Sequence, residues 1–449
     1  MEKRNLSDEL KKYGYVFSIK RTLILYAGAM AFTLLLGSFF SLNIICKTVL
    51  CIVLALFLPF FIRNTLKNRY QQQRFSDLNI YMEQFLYSFQ KTGKVLTSLQ
   101  EVKALFSEGD MYKVICRAED HILHTFDEEN VEKGALKLIE NEYKYEGLHT
   151  IHHFALQVEK NGGEYHRAIS LLLEARRMWA DRIYMLLKEK KKQRTDIIMS
   201  IVMSLLLCSV IYFMSRRVNI DVASHPVAQI GTLIVLIVDI FIFYRADKRF
   251  TADFMGKNTE NEKELLESYE TIRSGGGNGI FDRLGRKVAI KNVGRAIEIA
   301  FPEWLMQVSL LLQSENVQVS IFKSYDEAPA ILKPALKDFI EELKKDPTAM
   351  GPYRNFLSEI RLPEVESAMK MLYSLSEGTG GEASSQIEDI IRRNQILMDR
   401  SEKMKNEDSL AGMYALFLAP QITGGFKLVV DLLLLMVVYM GNMANMTQG

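Results

Sequence analysis

Two aspartates lie inside apolar stretches of the sequence, where a carboxylate is costly. Asp239 interrupts the run 226–243, and Asp431 interrupts the run 428–440. Carboxylates inside a membrane usually face a partner or a polar interior, so both are candidate partner-contact residues. For Asp239 three roles stay open: a contact with another helix, a proton or ion path, or a neutral structural carboxyl. For Asp431 the alternative is an i,i+4 ion pair with Lys427.

A second candidate contact site is a short motif that occurs twice, Gly162-Gly163-Glu164 and Gly380-Gly381-Glu382. Glycine takes the left-handed conformation that ends a helix at little cost. A glutamate in the first turn of the next helix is favoured by the helix dipole. The motif therefore predicts a helix–turn–helix hairpin, which is either a plain corner or a contact surface for partners.

Catalytic and cofactor motifs are weak in this sequence. Nothing matches the GxxxxGK[ST] pattern that cradles phosphates. Gly277, Gly279 and Lys291 imitate a kinase loop and its lysine, but the spacing is too short and no catalytic loop follows. The histidines at 121, 124, 149, 152 and 153 have helical spacing that could pair on a metal, although a solvated or amphipathic face explains them as well. We therefore expect no enzyme activity, no cofactor and no metal.

Apolar runs define the elements that position the two aspartates. The chain has 449 residues, of which 48% are hydrophobic and 24% charged, with a formal net charge of +2. Five runs cover residues 22–46, 48–62, 197–215, 226–243 and 428–440. A helix needs about 20 apolar residues to cross a bilayer, so the first and third runs are long enough. The fourth is long enough with Asp239 tolerated, the second crosses as the short arm of a hairpin, and the fifth needs neighbouring residues.

Lysine and arginine predict the orientation, because they accumulate on the cytoplasmic side. Basic residues are dense before the first run, after the second, before the third and after the fourth. The Arg216–Arg217 pair is the discordant signal. The four cysteines form no CxxC pattern, which fits a reducing compartment. We expect a multi-pass protein with a cytoplasmic N-terminus and with residues 64–195 and 246–424 in the cytoplasm.

These two polar segments look like divergent copies of one helical unit. In one register, Ile169, Leu172 and Leu173 align with Ile387, Ile390 and Ile391, and Asp181-Arg182 aligns with Asp399-Arg400. Upstream, Val95, Ser98 and Leu99 align with Val317, Ser320 and Ile321 after a small shift. We expect the Asp-Arg pairs to form ion pairs that fix each hairpin. Prolines at 302, 329, 334, 347, 352 and 363 should divide the second copy into short helices.

The second copy resembles the F-domain of bacterial type II secretion systems, and most of all the inner-membrane platform proteins of Tad-type pilus machines. The resemblance runs through Phe301-Pro302-Glu303-Trp304, Asp346-Pro347, Pro352-Tyr353, Arg393-Asn394-Gln395, Glu402 and the segment from Lys427 to Asp431. It covers roughly residues 70–445, and the first copy lacks the Phe-Pro-Glu opening. A hairpin before the first copy is typical of single-copy Tad subunits, whereas two copies are typical of type II and type IV pilus platforms.

The resemblance implies a non-enzymatic platform that couples a cytoplasmic assembly ATPase to the extraction of pilin-like subunits from the membrane. Its partners would be that ATPase, pilin-like subunits, lipids and further subunits of the same or another kind, without nucleic acid. We expect an all-α membrane protein with about five spans and two cytoplasmic helical F-like bundles. The predicted divisions are 1–63, 64–195, 196–245, 246–424 and 425–449. A transporter or channel subunit using Asp239 and Asp431 is the alternative; a membrane-tethered signalling protein lacks a supporting motif.

Overall fold

Helices are the regular elements of the chain in this computed structural model, which describes residues 19–125, 130–162, 165–217, 221–251, 259–273, 280–313, 315–378 and 383–447. The chain divides into two compact units. The first, which we call the membrane unit, comprises residues 1–73, 185–253 and 410–449. The second, which we call the helical unit, comprises residues 74–184 and 254–409. Most of each polar segment of the sequence, residues 74–184 of the first and 254–409 of the second, thus belongs to the helical unit.

The described residues of the membrane unit form five apolar helices. They are α1 (Ile19–Phe39), the first part of α2 (Ile44–Thr92), the last part of α7 (His166–Arg217), α8 (Pro226–Phe250) and α16 (Met413–Thr447). Among the described residues, α2, α7, α8 and α16 are long and apolar enough to span a membrane, and α1 contributes a shorter apolar stretch, Leu23–Phe39. The fifth predicted run is therefore part of a long helix, because α16 begins at Met413, well upstream of 428.

The turn between α1 and α2 lies at residues 40–43, whereas the first two apolar runs of the sequence, 22–46 and 48–62, are separated at Lys47. The Asn43 side chain accepts a hydrogen bond from the Cys46 amide at 2.8 Å and so caps α2. Gln229 of α8 fixes the same turn. Its Oε1 accepts from the Asn43 amide at 2.8 Å, and its Nε2 donates to the Ser41 carbonyl at 2.9 Å. The position of the α1–α2 turn is thus set by two polar side chains, Asn43 and Gln229, that lie within apolar runs.

The helical unit repeats one order of helices. Its first half contains the last part of α2, then α3 (Val95–Lys103), α4 (Asp110–His124), α5 (Val131–Glu142), α6 (Glu146–Asn161) and the first part of α7. Its second half contains α9 (Thr259–Arg273), α10 (Ile280–Leu311), α11 (Val317–Lys323), α12 (Lys333–Lys345), α13 (Met350–Asn355), α14 (Pro363–Glu377) and α15 (Ala383–Leu410). Apart from α9, the described residues of each half form a succession of six helices.

Residues paired by the sequence repeat occupy corresponding helices. Val95, Ser98 and Leu99 are buried on α3, and Val317, Ser320 and Ile321 are buried on α11. Each set lies on the short helix that follows the long first helix of its half. The same holds for Leu172 on α7 and Ile390 on α15, which are both buried. The two halves therefore use the repeated residues in the same way, as core contacts.

Pro302 lies inside α10, so the expectation that it divides two short helices is wrong. Its neighbours Phe301 and Trp304 are fully buried, and the Trp304 indole donates to the Ser324 hydroxyl at 2.9 Å. The Trp304 and Phe356 rings stack with centroids 5.8 Å apart. This aromatic packing stabilises the helix across the proline, since burial of two large rings outweighs one lost backbone hydrogen bond.

Candidate functional site

The predicted hairpin of the first half begins as expected. Helix α6 ends at Asn161, and Gly162 has a φ of +68° while its amide donates to the Val158 carbonyl at 2.8 Å. In the second half, α14 ends two residues earlier than the repeat predicts, with Gly378 in the left-handed conformation. The other predicted contact residues, Gly163, Glu164, Gly380, Gly381 and Glu382, lie outside the described residues.

Helices α7 and α15, which correspond in the repeat, run parallel and side by side in the helical unit. Arg167 donates to Glu388 at 2.6 Å, Gln395 donates to Glu174 at 2.6 Å, and Arg182 pairs with Glu402. The residue numbers of the partners increase in the same direction along both helices, so the two helices are parallel. The residue numbers of each partner pair differ by 220 or 221, and those of the sequence repeat by 218, so equivalent positions lie nearly level.

Arg182 and Glu402 form the most buried of these contacts, with side chains 11% and 13% exposed. Lys405 donates to Glu402 at 3.0 Å and to Glu303 of α10 at 3.0 Å. Asn406 donates to the Arg182 carbonyl at 3.4 Å. A buried charge that loses its partner is strongly destabilising, so this network holds the two halves in one arrangement.

The repeated Asp-Arg pairs bind other partners than the sequence suggested. Asp181 lies 3.9 Å from Arg177, and Asp399 accepts from Lys403 at 2.6 Å, both on exposed helix faces. Arg400 donates to Glu364 of α14 at 3.2 Å and so joins the two helices of its own hairpin. Arg182, its counterpart, bridges to the other half. Equivalent arginines therefore have different roles, which only the packing could reveal.

A histidine bridge also joins the two halves. His149 of α6 donates through Nδ1 to Glu140 of α5 at 3.0 Å and through Nε2 to Glu327 at 2.5 Å. His152 donates to the other Glu140 oxygen at 2.9 Å and accepts from the Tyr81 hydroxyl at 2.9 Å. Glu327 follows α11 in the second half, so a single imidazolium links carboxylates from both halves.

The electrostatics of the bridge favour a protonated His149. Hydrogen bonds to Glu140 and Glu327 raise the pKa of His149 to about 10. Burial raises the pKa of Glu140, but the hydrogen bonds from His149 and His152 outweigh it and bring the pKa to about 2. Burial lowers the pKa of His152, which therefore binds as the neutral imidazole. Among the described residues, no three His, Cys, Asp or Glu side chains are arranged to hold a metal ion.

The membrane unit buries both predicted aspartates. Asp239 is 4% exposed and lies near the Ser204 hydroxyl, but neither of its oxygens accepts a well-formed hydrogen bond from a described residue. Asp431 is equally buried and pairs with Lys427 one turn earlier on α16. That pair is the i,i+4 alternative that the sequence left open. Both carboxylates thus lie in the interior of this unit, among its own helices.

A close helix crossing lies in the same region. A Cβ added at Gly424 of α16 would lie 2.7 Å from the Ser204 Oγ and 2.9 Å from the Ser204 Cα of α7. Ser200 donates to the Phe417 carbonyl at 2.5 Å, one turn away. Small residues allow such contacts between membrane helices. The crossing brings α16 against α7, next to Asp239 of α8.

Sequence reasoning missed several residues that these sites need. Gln229 could have been predicted as a contact residue, because it is a polar residue in an apolar run. Glu140, Glu327 and Glu303 carried no signal, because an isolated glutamate on a helix is ordinarily a solvated surface residue.

No protein-family model matches the chain, and the searches of curated proteins and of solved structures found no match to it.

Proposed function

We propose that this chain is the non-enzymatic platform of a type IV pilus-like, Tad-like or type II secretion-like machine in a bacterial cytoplasmic membrane. Its work would be to couple a cytoplasmic assembly ATPase to the extraction and assembly of pilin-like subunits. The supporting observation is the repeated six-helix order of the helical unit, with the equivalent helices α7 and α15 packed in parallel. A helical unit made of two packed copies offers two equivalent surfaces, which suits a protein that binds several partners at once.

The membrane unit supplies a second line of support for this proposal. If α1 crosses together with the four longer apolar helices, five crossings with a cytoplasmic N-terminus place both polar segments in the cytoplasm. Basic side chains at one end of the unit also donate hydrogen bonds to the carbonyl groups at helix C-termini. Lys190 donates to the Phe250 carbonyl at 3.2 Å, and Arg249 donates to the Ala411 carbonyl at 2.6 Å. Cations at helix C-termini are favoured by the helix dipole.

The test is co-purification and assembly in the native host. A tagged full-length chain, extracted in mild detergent, is expected to retain a secretion-type ATPase and a small pilin-like protein encoded near its own gene. Deleting the gene should abolish the filament or secreted product, and the wild-type gene should restore it. A deletion strain that still assembles the filament, or neighbouring genes without such partners, would reject the proposal.

A transporter or channel subunit remains the second candidate, and the buried Asp239 with its unsatisfied oxygens is the observation that favours it. Asp239→Asn and Asp431→Asn separate the two functions. A transporter would lose flux while its partners still co-purified, whereas a platform would lose assembly of its complex. The duplicated element argues for the platform, since transporters usually duplicate their membrane helices.

A further inference from the structure

A small cavity lies inside the membrane unit, between α7, α8, α16 and the end of α1. Its wall includes Phe40, Cys208, Tyr212, Val222, Thr232 and Asp431. The volume open to the centre of a water is about 20 Å³, and one ordered water needs roughly 10–15 Å³. The cavity therefore has room for one water or for a group of the same size.

Some polar atoms in the wall of this cavity have hydrogen-bonding capacity that the described residues do not use. Lys427 donates to Oδ2 of Asp431, but Oδ1 of Asp431 is buried and accepts no hydrogen bond from a described residue. The Thr232 hydroxyl donates to the Ala228 carbonyl at 2.8 Å and keeps its own lone pairs free to accept. A charged oxygen left without a donor in an apolar interior is costly, so the site favours a small donor.

The cavity lies toward one end of the membrane helices. Val222 and Ala223, in the connection between α7 and α8, form part of its wall. Cys208 lies nine residues before the end of α7 at Arg217, and Thr232 lies six residues after the start of α8 at Pro226. At 1.5 Å per residue these positions are roughly 14 Å and 9 Å from the helix ends. The cavity is thus nearer to the connection at 221–225 than to the other ends of α7 and α8.

We infer that this cavity is a hydration site for the buried Lys427–Asp431 pair, open to small hydrogen-bond donors from the side of residues 221–225. Water donates to Oδ1 of Asp431 and to the Thr232 hydroxyl oxygen. A metal cation fits less well, because the Lys427 ammonium already neutralises Asp431. This binding site is independent of the platform proposal, since it rests only on the membrane unit.

Cysteine modification tests the inference, because Cys208 is part of the cavity wall and Cys46 is not. Both thiols are buried and pack in the same apolar cluster, which makes Cys46 the matched control. Two variants of the full chain keep one of these cysteines and carry alanine at the other three positions. The probe is 2-aminoethyl methanethiosulfonate, which is larger than the cavity and therefore reports access to the Cys208 thiol from the open side at residues 221–225; it is added to one face of sealed vesicles. A third chain, with Arg217→Cys as its single cysteine, reports which face carries the end of α7.

Cys208 should react about tenfold or more faster than Cys46, and from the face on which position 217 reacts. Asp431→Asn should slow the cationic reagent relative to neutral methyl methanethiosulfonate, and Lys427→Met should accelerate it. Should one charge variant fail to fold, the other still gives the comparison. Equal rates at Cys208 and Cys46, reaction of Cys208 from the opposite face, or indifference to both charge changes would overturn the inference. Loss of filament assembly without these changes would bear on the platform proposal alone.

Discussion

The two halves of the helical unit repeat the same helices but stabilise them differently. In the first half, Arg182 is 11% exposed and bridges to Glu402 of the other half. In the second half, the equivalent Arg400 is 55% exposed and binds Glu364 within its own hairpin. The two arginines are thus equivalent in the sequence repeat, but each pairs with a different kind of partner. A repeat in sequence therefore predicts equivalent backbone elements better than it predicts equivalent contacts.

The largest expected difference is between the two arginines. Arg182→Ala leaves Glu402 with Lys405 as its remaining cation, and loss of the mostly buried Arg182 contact should cost about 2–3 kcal/mol of unfolding free energy. Arg400→Ala removes an exposed contact and should cost about 0–1 kcal/mol. Denaturant unfolding of the full-length chain in detergent measures both. Equal losses for the two variants would show that the halves are not held together through Arg182.

The second largest effect is expected at the ends of α6 and α14, since the glycines there have different backbone conformations and should differ in how much stability their substitution costs. Gly162 has φ +68° and ψ −156°, and Gly378 has φ +64° and ψ +17°. The first region is essentially restricted to glycine, so Gly162→Ala should cost about 1–3 kcal/mol. Gly378→Ala should cost about 1 kcal/mol in the left-handed region.

Asparagine sharpens this comparison, because it tolerates the left-handed region. Gly378→Asn should recover most of the stability lost in Gly378→Ala, and Gly162→Asn should recover little of the loss in Gly162→Ala. A Cβ meets no atom within 4 Å at either glycine, so the loss comes from the backbone. Thermal unfolding of the four variants checks the ranking, and a full rescue at both positions would refute it.

The smallest expected effect is that of the histidine bridge, because its side chains are about one-third exposed and partly screened. His149→Ala should cost about 0.5–1 kcal/mol near pH 6. The folded pKa of His149 is raised to about 10 from 6.5, so the bridge stabilises fully below pH 6.5 and its contribution declines toward pH 10. The pKa of Glu140 is lowered to about 2, so its contribution is present above pH 4.5 and falls toward pH 2.

The measurement is the difference in unfolding midpoint between wild type and His149→Ala from pH 4.5 to pH 9. Its maximum should lie between about pH 4.5 and 6.5, with a decrease above that window. His124→Ala is the matched control, because His124 is an exposed histidine whose Asp120 contact lies on one helix. A pH-independent difference for His149→Ala would contradict the bridge.

The sequence predicted the helices from periodicity and apolar length, which depend on local spacing. It also predicted the helix end at Gly162, because a positive φ is a local property of glycine. The break between its first two apolar runs, at Lys47, lies a few residues after the α1–α2 turn, since that turn depends on Asn43 and on Gln229 from a distant helix. It divided α10 at Pro302 because the burial of Trp304 and Phe356 was not visible. Long-range packing decides such positions, and one sequence does not encode it in any local pattern.

The candidate sites follow the same division. Asp239 and Asp431 stood out because a carboxylate in an apolar run is visible locally, and both lie in the interior of the membrane unit. The partner of Arg182 was not predictable, since Glu402 is 220 residues away. Glu327, which binds His149, is likewise remote in sequence. Contacts of this kind arise when two copies of one unit dock, and neither copy specifies them alone.

Cross-linking of α7 to α15 tests the central claim, that the two halves dock through equivalent helices in parallel. In a chain with alanine at its four cysteines, the pairs Arg167→Cys with Glu388→Cys and Glu174→Cys with Gln395→Cys should cross-link in membranes with a short reagent. The exchanged pairs, Arg167→Cys with Gln395→Cys and Glu174→Cys with Glu388→Cys, are displaced by seven residues, or roughly 10 Å, and should not. Cross-linking of the exchanged pairs in preference to the direct pairs would contradict the parallel docking.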